Sequence, residues 1–139
     1  MKKALLQLLM VPAIIFGIAN CSNRGGGGGG GGNNEANLVV TTNPPANSVQ
    51  PAAPQTDFPL TVSITSTMPP QGVTIDVKVA PDGSTTNFFT ESRSSTTANN
   101  NFTITGTPVG VVSVVTVTVT SKTKATNTVT LSYRYSRKP

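Results

Sequence analysis

Between Phe58 and Ser136 several runs place apolar residues at every second position, mostly with threonine and serine between them, the period of half-buried strands rather than of helices. Phe58, Leu60, Val62 and Ile64 alternate with Pro59, Thr61, Ser63 and Thr65, and Val73, Ile75, Val77 and Val79 alternate with Thr74, Asp76 and Lys78. Met68-Pro69-Pro70-Gln71-Gly72 separates these two runs, and Ala80-Pro81-Asp82-Gly83-Ser84 ends the second with turn chemistry. A shorter strand is predicted over Asn87 to Arg93. A polar loop follows over Ser94 to Asn100, then a strand carrying Phe102 and Ile104 that stops at Gly106-Thr107-Pro108. Val111 to Thr120 is the longest apolar strand and is expected to be central, with paired valines at 111–112 and 114–115 pointing to a bulge or a change of face. Thr128 to Ser136 places Val129, Leu131, Tyr133 and Tyr135 on one face.

Ahead of this region, Leu38-Val39-Val40-Thr41-Thr42 has strand composition and is read as a first edge strand. Residues 43–57 carry Pro44, Pro45, Pro51 and Pro54, which disfavour both helix and interior strand, so this stretch is either a long loop or an extension of a tether. Seven short strands in about 100 residues, with no helical period, predict an all-β, antiparallel, two-sheet sandwich. Their order and lengths resemble an immunoglobulin-like or fibronectin type III-like domain over residues 37–137. The resemblance is architectural, because no Cys-Trp-Cys core is present.

The chain begins differently. Lys2 and Lys3 precede an apolar run from Ala4 to Ala19, broken by Gln7 and Pro12 and closed by Ile18-Ala19-Asn20-Cys21-Ser22. This is signal-peptide architecture. The run is shorter than the roughly 20 residues that cross a bilayer as a helix, so removal is expected rather than spanning. The closing residues resemble the lipobox of bacterial lipoproteins: Ile18 matches the aliphatic site, Ala19 a small site and Cys21 the lipidated cysteine, while Asn20 departs from the usual small residue. That resemblance implies cleavage between Asn20 and Cys21, a diacylglyceryl group on the Cys21 sulfur and, with Ser22 rather than Asp after it, the outer membrane. An ordinary secreted protein with a free thiol is the alternative. Cys21 is the only cysteine, and a lone thiol in an exported chain otherwise lacks a purpose.

Three regions follow: a signal peptide over 1–20, the lipidated cysteine with a polyglycine tether over 21–36, and the sandwich over 37–137. The eight glycines of 25–32 lack the Gly-Lys-Ser/Thr ending of a phosphate loop. As a flexible spacer, residues 21–36 have a root-mean-square reach of roughly 20–24 Å.

Composition narrows the function classes. With no histidine or tryptophan, one cysteine and five acidic residues, the 139-residue chain is poor in the material of metal binding and acid–base catalysis. No cofactor, metal or small-molecule substrate is evident, and an enzyme is not expected. Ser121-Lys122-Thr123-Lys124 fits a Ser-x-x-Lys pattern, but in a hairpin connection rather than on a helix. Net charge falls from +5 to +3 once Lys2 and Lys3 are removed, which takes away the main support for nucleic-acid binding. Lys122 and Lys124 lie at one end of the last strand and Arg134, Arg137 and Lys138 towards the other, about 26 Å apart at ~3.3 Å per residue, beyond the Debye length of about 8 Å.

The candidate binding residues are Phe89, Glu91 and Arg93. On a strand, Phe88 and Phe89 point to opposite faces, which would put Phe89 outward beside the charged pair as an aromatic anchor on an edge strand; the alternative is that a bulge or the neighbouring loop buries both rings. The functional expectation is a lipid-anchored envelope protein of the outer membrane, held through Cys21, whose sandwich is a binding or accessory module. It would serve an envelope or secretion assembly, or act as an adhesin-like module, with an envelope protein as partner. The alternative is a passive spacer without a specific ligand.

Overall fold

The computed structural model describes residues 34–139; the expectations for the signal segment, for Asn20 and Cys21 and for the glycine tract fall outside the described residues. Seven strands form in the predicted order: β1 (Val40–Asn43), β2 (Phe58–Ile64), β3 (Val73–Pro81), β4 (Phe89–Ser95), β5 (Asn99–Ile104), β6 (Val112–Ser121) and β7 (Thr128–Ser136). They divide into a three-stranded sheet, β1-β2-β5, and a four-stranded sheet, β4-β3-β6-β7, with every strand pair antiparallel. This is the all-β, antiparallel, two-sheet sandwich expected from the alternation.

The period of two does the sorting. Leu60, Val62 and Ile64 of β2, Val73 to Val79 at odd positions of β3, Phe102 and Ile104 of β5 and Val115, Val117 and Val119 of β6 are buried in one core between the sheets. Threonines line the outer face in cross-strand pairs, as in Thr120 Oγ1 to Thr128 Oγ1 at 2.9 Å. The strand β6 is interior, between β3 and β7, as its valines predict.

Two local expectations are corrected. The strand β6 runs in unbroken register with both neighbours, so its paired valines mark neither a bulge nor a change of face. Val111 precedes the strand, Val112 lies on its outer face, and Ser113 takes the inward position. The polar loop over Ser94 to Asn100 shrinks to Thr96–Ala98, because Asn99 and Asn101 belong to β5. Their amide oxygens accept cross-strand bonds from Ser63 (2.8 Å) and Thr61 (2.9 Å), which lets a polar asparagine run serve as a strand.

The proline-rich stretch after β1 is a long crossover segment, held against the other sheet by isolated bridges. The chain leaves the first sheet at Asn43 and runs along the outer edge of β7 in the other, forming parallel bridges Val49–Arg134 and Ala53–Arg137. Amides of Asn47, Gln50 and Ala53 donate to the carbonyls of Ser132, Arg134 and Ser136 at 2.7, 2.8 and 3.1 Å, and the Arg134 amide donates to the Ser48 carbonyl at 2.9 Å. None of the donors is a proline. Pro51 and Pro54 follow donor residues, so the prolines leave these bonds intact and blunt the outer side of the strap against further pairing.

The start of the domain is tied to the β6–β7 turn by Asn127. Its buried amide accepts from the Leu38 N–H (2.9 Å), donates to the Ala36 carbonyl (2.9 Å) and donates to the Glu35 carboxylate, which also accepts from Ser121 Oγ (3.0 Å). Leu38 and Val40 then enter the core. The chain preceding residue 34 therefore joins the sandwich at this end.

Asn127→Ala leaves the buried Leu38 amide without an acceptor, which costs about 1–3 kcal/mol. The expected result is a fall in Tm of roughly 5–15 °C, with faster hydrogen exchange at Leu38 than at Val117. Unchanged Tm and Leu38 protection would show that the clamp is not holding the first residues of the domain.

Candidate ligand pocket and the predicted binding edge

Alternation along β7 turns Tyr133 and Tyr135 inward, where both are buried. The Tyr135 ring packs on Phe58 with centroids 4.4 Å apart and a tilt of 54°, and Tyr133 lies 6.2 Å from Tyr135. Tyr135 exchanges a 2.7 Å hydrogen bond with Thr107 Oγ1. The hydroxyl of Tyr133 has no such partner among the described residues, although the residue is only 3% exposed. It is also not among the sealed, unpartnered polar atoms, which are Thr42 Oγ1, Ser66 Oγ, Ser113 Oγ and Arg137 Nε. Tyr133 lines a cavity of about 310 Å³.

The cavity follows from the change of sheet. The strand β1 ends opposite Thr61, so the first residues of β2 have no neighbour on that side. Thr65 bonds toward Val39 at the first-strand side while Ile64 bonds toward Ala98, and stepping back by twos from Thr65 puts the backbone of Pro59 at the vacated edge. Proline there leaves no N–H unpaired. The strap supplies one wall through Gln50, Pro51 and Gln55, β2 supplies Phe58, Pro59 and Thr61, Asn43 and Pro44 stand at the crossing, and the two tyrosines form the floor. No lining side chain is charged.

Burial pushes the Tyr133 phenol well above its ordinary value, and Tyr135 beside it adds to the shift. Burial also raises Tyr135, with the Thr107 hydrogen bond opposing it. Both are neutral at physiological pH, and Tyr133 presents an O–H that can donate or accept.

Phe89, Glu91 and Arg93 do share one face of β4, but it is turned toward the other sheet. Their register partners are Val79, Val77 and Ile75, all fully buried. Phe88 and Phe89 both pack against the core, partly buried, which is the alternative in which both rings turn in rather than the one that puts Phe89 outward. The reason is a two-against-one arrangement at the strand start: Val79 pairs with Phe89 while its carbonyl accepts from the Phe88 amide at 2.9 Å. Arg93 ion-pairs with Glu91, stands over the Phe102 ring at 4.5 Å and donates to the Asn101 carbonyl at 3.0 Å. The pair closes the open side of the sandwich between β4 and β5.

The remaining candidates are placed as follows. Ser121 Oγ accepts from the amides of Thr123 (3.0 Å) and Lys124 (3.1 Å) while donating to Glu35, so it serves the turn. Lys122 and Lys124 are exposed at the clamp end, whereas Arg134 pairs with Asp82 (3.1 Å) farther along β7. Asp82 sits in a turn closed by Ser84 N–H to the Pro81 carbonyl (2.9 Å), with Gly83 at φ +81°. Among the described residues no group of His, Cys, Asp or Glu is placed to hold a metal. The pocket itself was missed in the sequence, because its walls come from a stretch read as loop or tether. The only signal was the pair Gln50 and Gln55 set among prolines, with two tyrosines on one strand face. No family model, curated protein or solved structure matches the chain.

The two tyrosines are the only ones in the chain, so absorbance at 295 nm reports on them alone. A phenol raised in the folded state stabilises below its unfolded value, about 10, and that contribution is lost as pH climbs through the higher folded value. Stability is thus expected to hold to about pH 9 and to fall above pH 10, with tyrosinate absorbance rising together with unfolding. Tyr135→Phe should cost about 1 kcal/mol and Tyr133→Phe within about 0.5 kcal/mol, measured by urea denaturation. Equal losses would mean that the Tyr133 hydroxyl is bonded inside the protein.

Proposed function

We propose that this chain is a lipid-anchored cell-envelope protein, held in the outer membrane through Cys21, whose fibronectin type III-like sandwich is a binding module with the strap-lined cavity as its contact site. The observation that carries the reading is the opposed placement of clamp and cavity. Glu35 and Ala36 are tied to Asn127 beside the start of β7, whereas Tyr133 and Tyr135 lie five and seven residues farther along that strand, about 17–23 Å away at ~3.3 Å per residue. An anchor entering at one end leaves the cavity at the other, facing away from the bilayer. A glycine spacer between anchor and clamp adds reach without adding structure.

The lipobox-like Ile18-Ala19-Asn20-Cys21 supports the anchor, and two or three acyl chains at about 0.8 kcal/mol per buried CH₂ hold where one is marginal. The lysines at the clamp end, Lys122 and Lys124, would then face the headgroups, each favouring an anionic surface.

In the native host, the full chain should fractionate with the outer membrane and carry a lipid mass on the mature N-terminus, while Cys21→Ala should be soluble or keep its signal. A variant that stays with the membrane and shows no mass difference from wild type removes the anchor. A photocrosslinking residue at Gln55 is expected to capture an envelope component, and the same residue at the β6–β7 turn, at Thr126, only lipid or nothing. Capture at neither position points to the passive spacer.

A further inference from the structure

We propose that the cavity takes one neutral sugar residue, the terminal or exposed unit of an envelope glycan. This rests on the reading of the sandwich as a binding module and names what that site recognises. The cavity is first of all uncharged: a carboxylate, phosphate or ammonium group entering it would lose water without meeting a counter-ion. Its volume of about 310 Å³ is at the small end for ligand sites, suited to one ring with its substituents.

The polar groups on offer have the right character. Tyr133, 3% exposed and with a hydroxyl that has no hydrogen-bond partner among the described residues, lines the cavity. Around it, the side chains of Asn43 and Gln55 make no hydrogen bond to described residues, and Gln50 spends one N–H on Ser48 Oγ (2.7 Å), leaving its carbonyl oxygen and second N–H. Thr61 donates to Asn101 (2.9 Å) and keeps its lone pairs. Amides and hydroxyls each both donate and accept, as sugar hydroxyls do, so pairing can be reciprocal around a ring. Pro44, Pro51, Pro59 and Phe58 give C–H walls for the ring's apolar faces.

An extended peptide fits less well. Strand addition relies on a ladder of free backbone N–H and C=O groups. Here the vacated edge of β2 begins at Pro59, and the outer side of the strap is interrupted by Pro51 and Pro54, none of which can donate. Recognition must therefore run through side chains.

The test titrates the purified full chain in detergent with methyl glucoside, methyl galactoside, N-acetylglucosamine and their disaccharides. Glucuronate and a neutral alanine–proline peptide run beside them, and binding is read by saturation-transfer NMR. At least one neutral sugar is expected to saturate, with glucuronate much weaker. Tyr133→Phe should weaken that binding about three- to tenfold with Tm unchanged, and Gln55→Leu should also weaken it. Glucuronate binding as well as its neutral counterpart, or sugar binding indifferent to Tyr133→Phe and Gln55→Leu, overturns the proposal. Peptide binding that needs Tyr133 while no sugar saturates overturns the sugar and leaves the binding module standing. Failure of every probe, together with no crosslink at Gln55, overturns both.

Discussion

A sandwich of two sheets has open edges, and the backbone groups along them must be bonded, shortened or shielded; most of the particular features of this protein are answers to that constraint. The edge of β7 is covered by the strap that follows β1, which meets the carbonyls of Ser132, Arg134 and Ser136. The strand β1 has only four residues. On the opposite side, the inward pair Glu91 and Arg93 fills the gap, with Arg93 bonding the Asn101 carbonyl on the free edge of β5 and shielding Phe102. Charged side chains on the inward face of an edge strand disfavour an incoming strand, because pairing there would strip water from them.

The same constraint creates the cavity. One segment cannot serve two sheets along its whole length, so when the chain leaves β2 to cover β7 it vacates the edge beside Phe58 and Pro59. Larger side chains of β7 reach into that space, and the Phe58–Tyr135 contact and the Tyr135–Thr107 hydrogen bond secure its floor. Tyr133 lines it with a hydroxyl that has no partner among the described residues. A gap of this kind, walled by prolines and amides and free of charge, is a site whose chemistry is set by what the crossover leaves behind.

Polar stitching fixes the direction of the molecule. Asn127 satisfies backbone groups of residues 36 and 38 that no strand partner reaches, and Glu35 joins Asn127 to Ser121. These bonds decide that the chain enters beside the β6–β7 turn, and hence that the cavity lies toward the other end. An apolar contact could hold the same residues, but it would not select one register for them, because hydrophobic attraction is non-directional.

How much of this was legible follows from the physics of each signal. Strand alternation is local: a period of two written in Val, Ile, Leu and Thr specifies strands and a buried face wherever the chain goes, so the seven strands, the interior place of β6 and the inward tyrosines could be read directly. The asparagine run of β5 hid from that pattern because its strand character depends on Ser63 and Thr61 across the sheet. Proline spacing marked residues 43–57 as a loop, crossover or tether and not an interior strand, but not which edge the stretch would cover. For Phe88 and Phe89 the sequence left strict alternation and a bulge that buries both rings as alternatives, and the two-against-one arrangement at the start of β4 decides between them. By itself, then, the sequence determined the all-β class, the strand set and the composition of the core, since those rest on periodicity within each segment. Only the tertiary structure decided the sheet-switching strap, the closed side at Arg93, the clamp at Asn127 and the Tyr133 cavity. Each of these depends on groups brought together from distant segments, whose pairing is set by which edges and backbone groups the packed sheets leave unsatisfied.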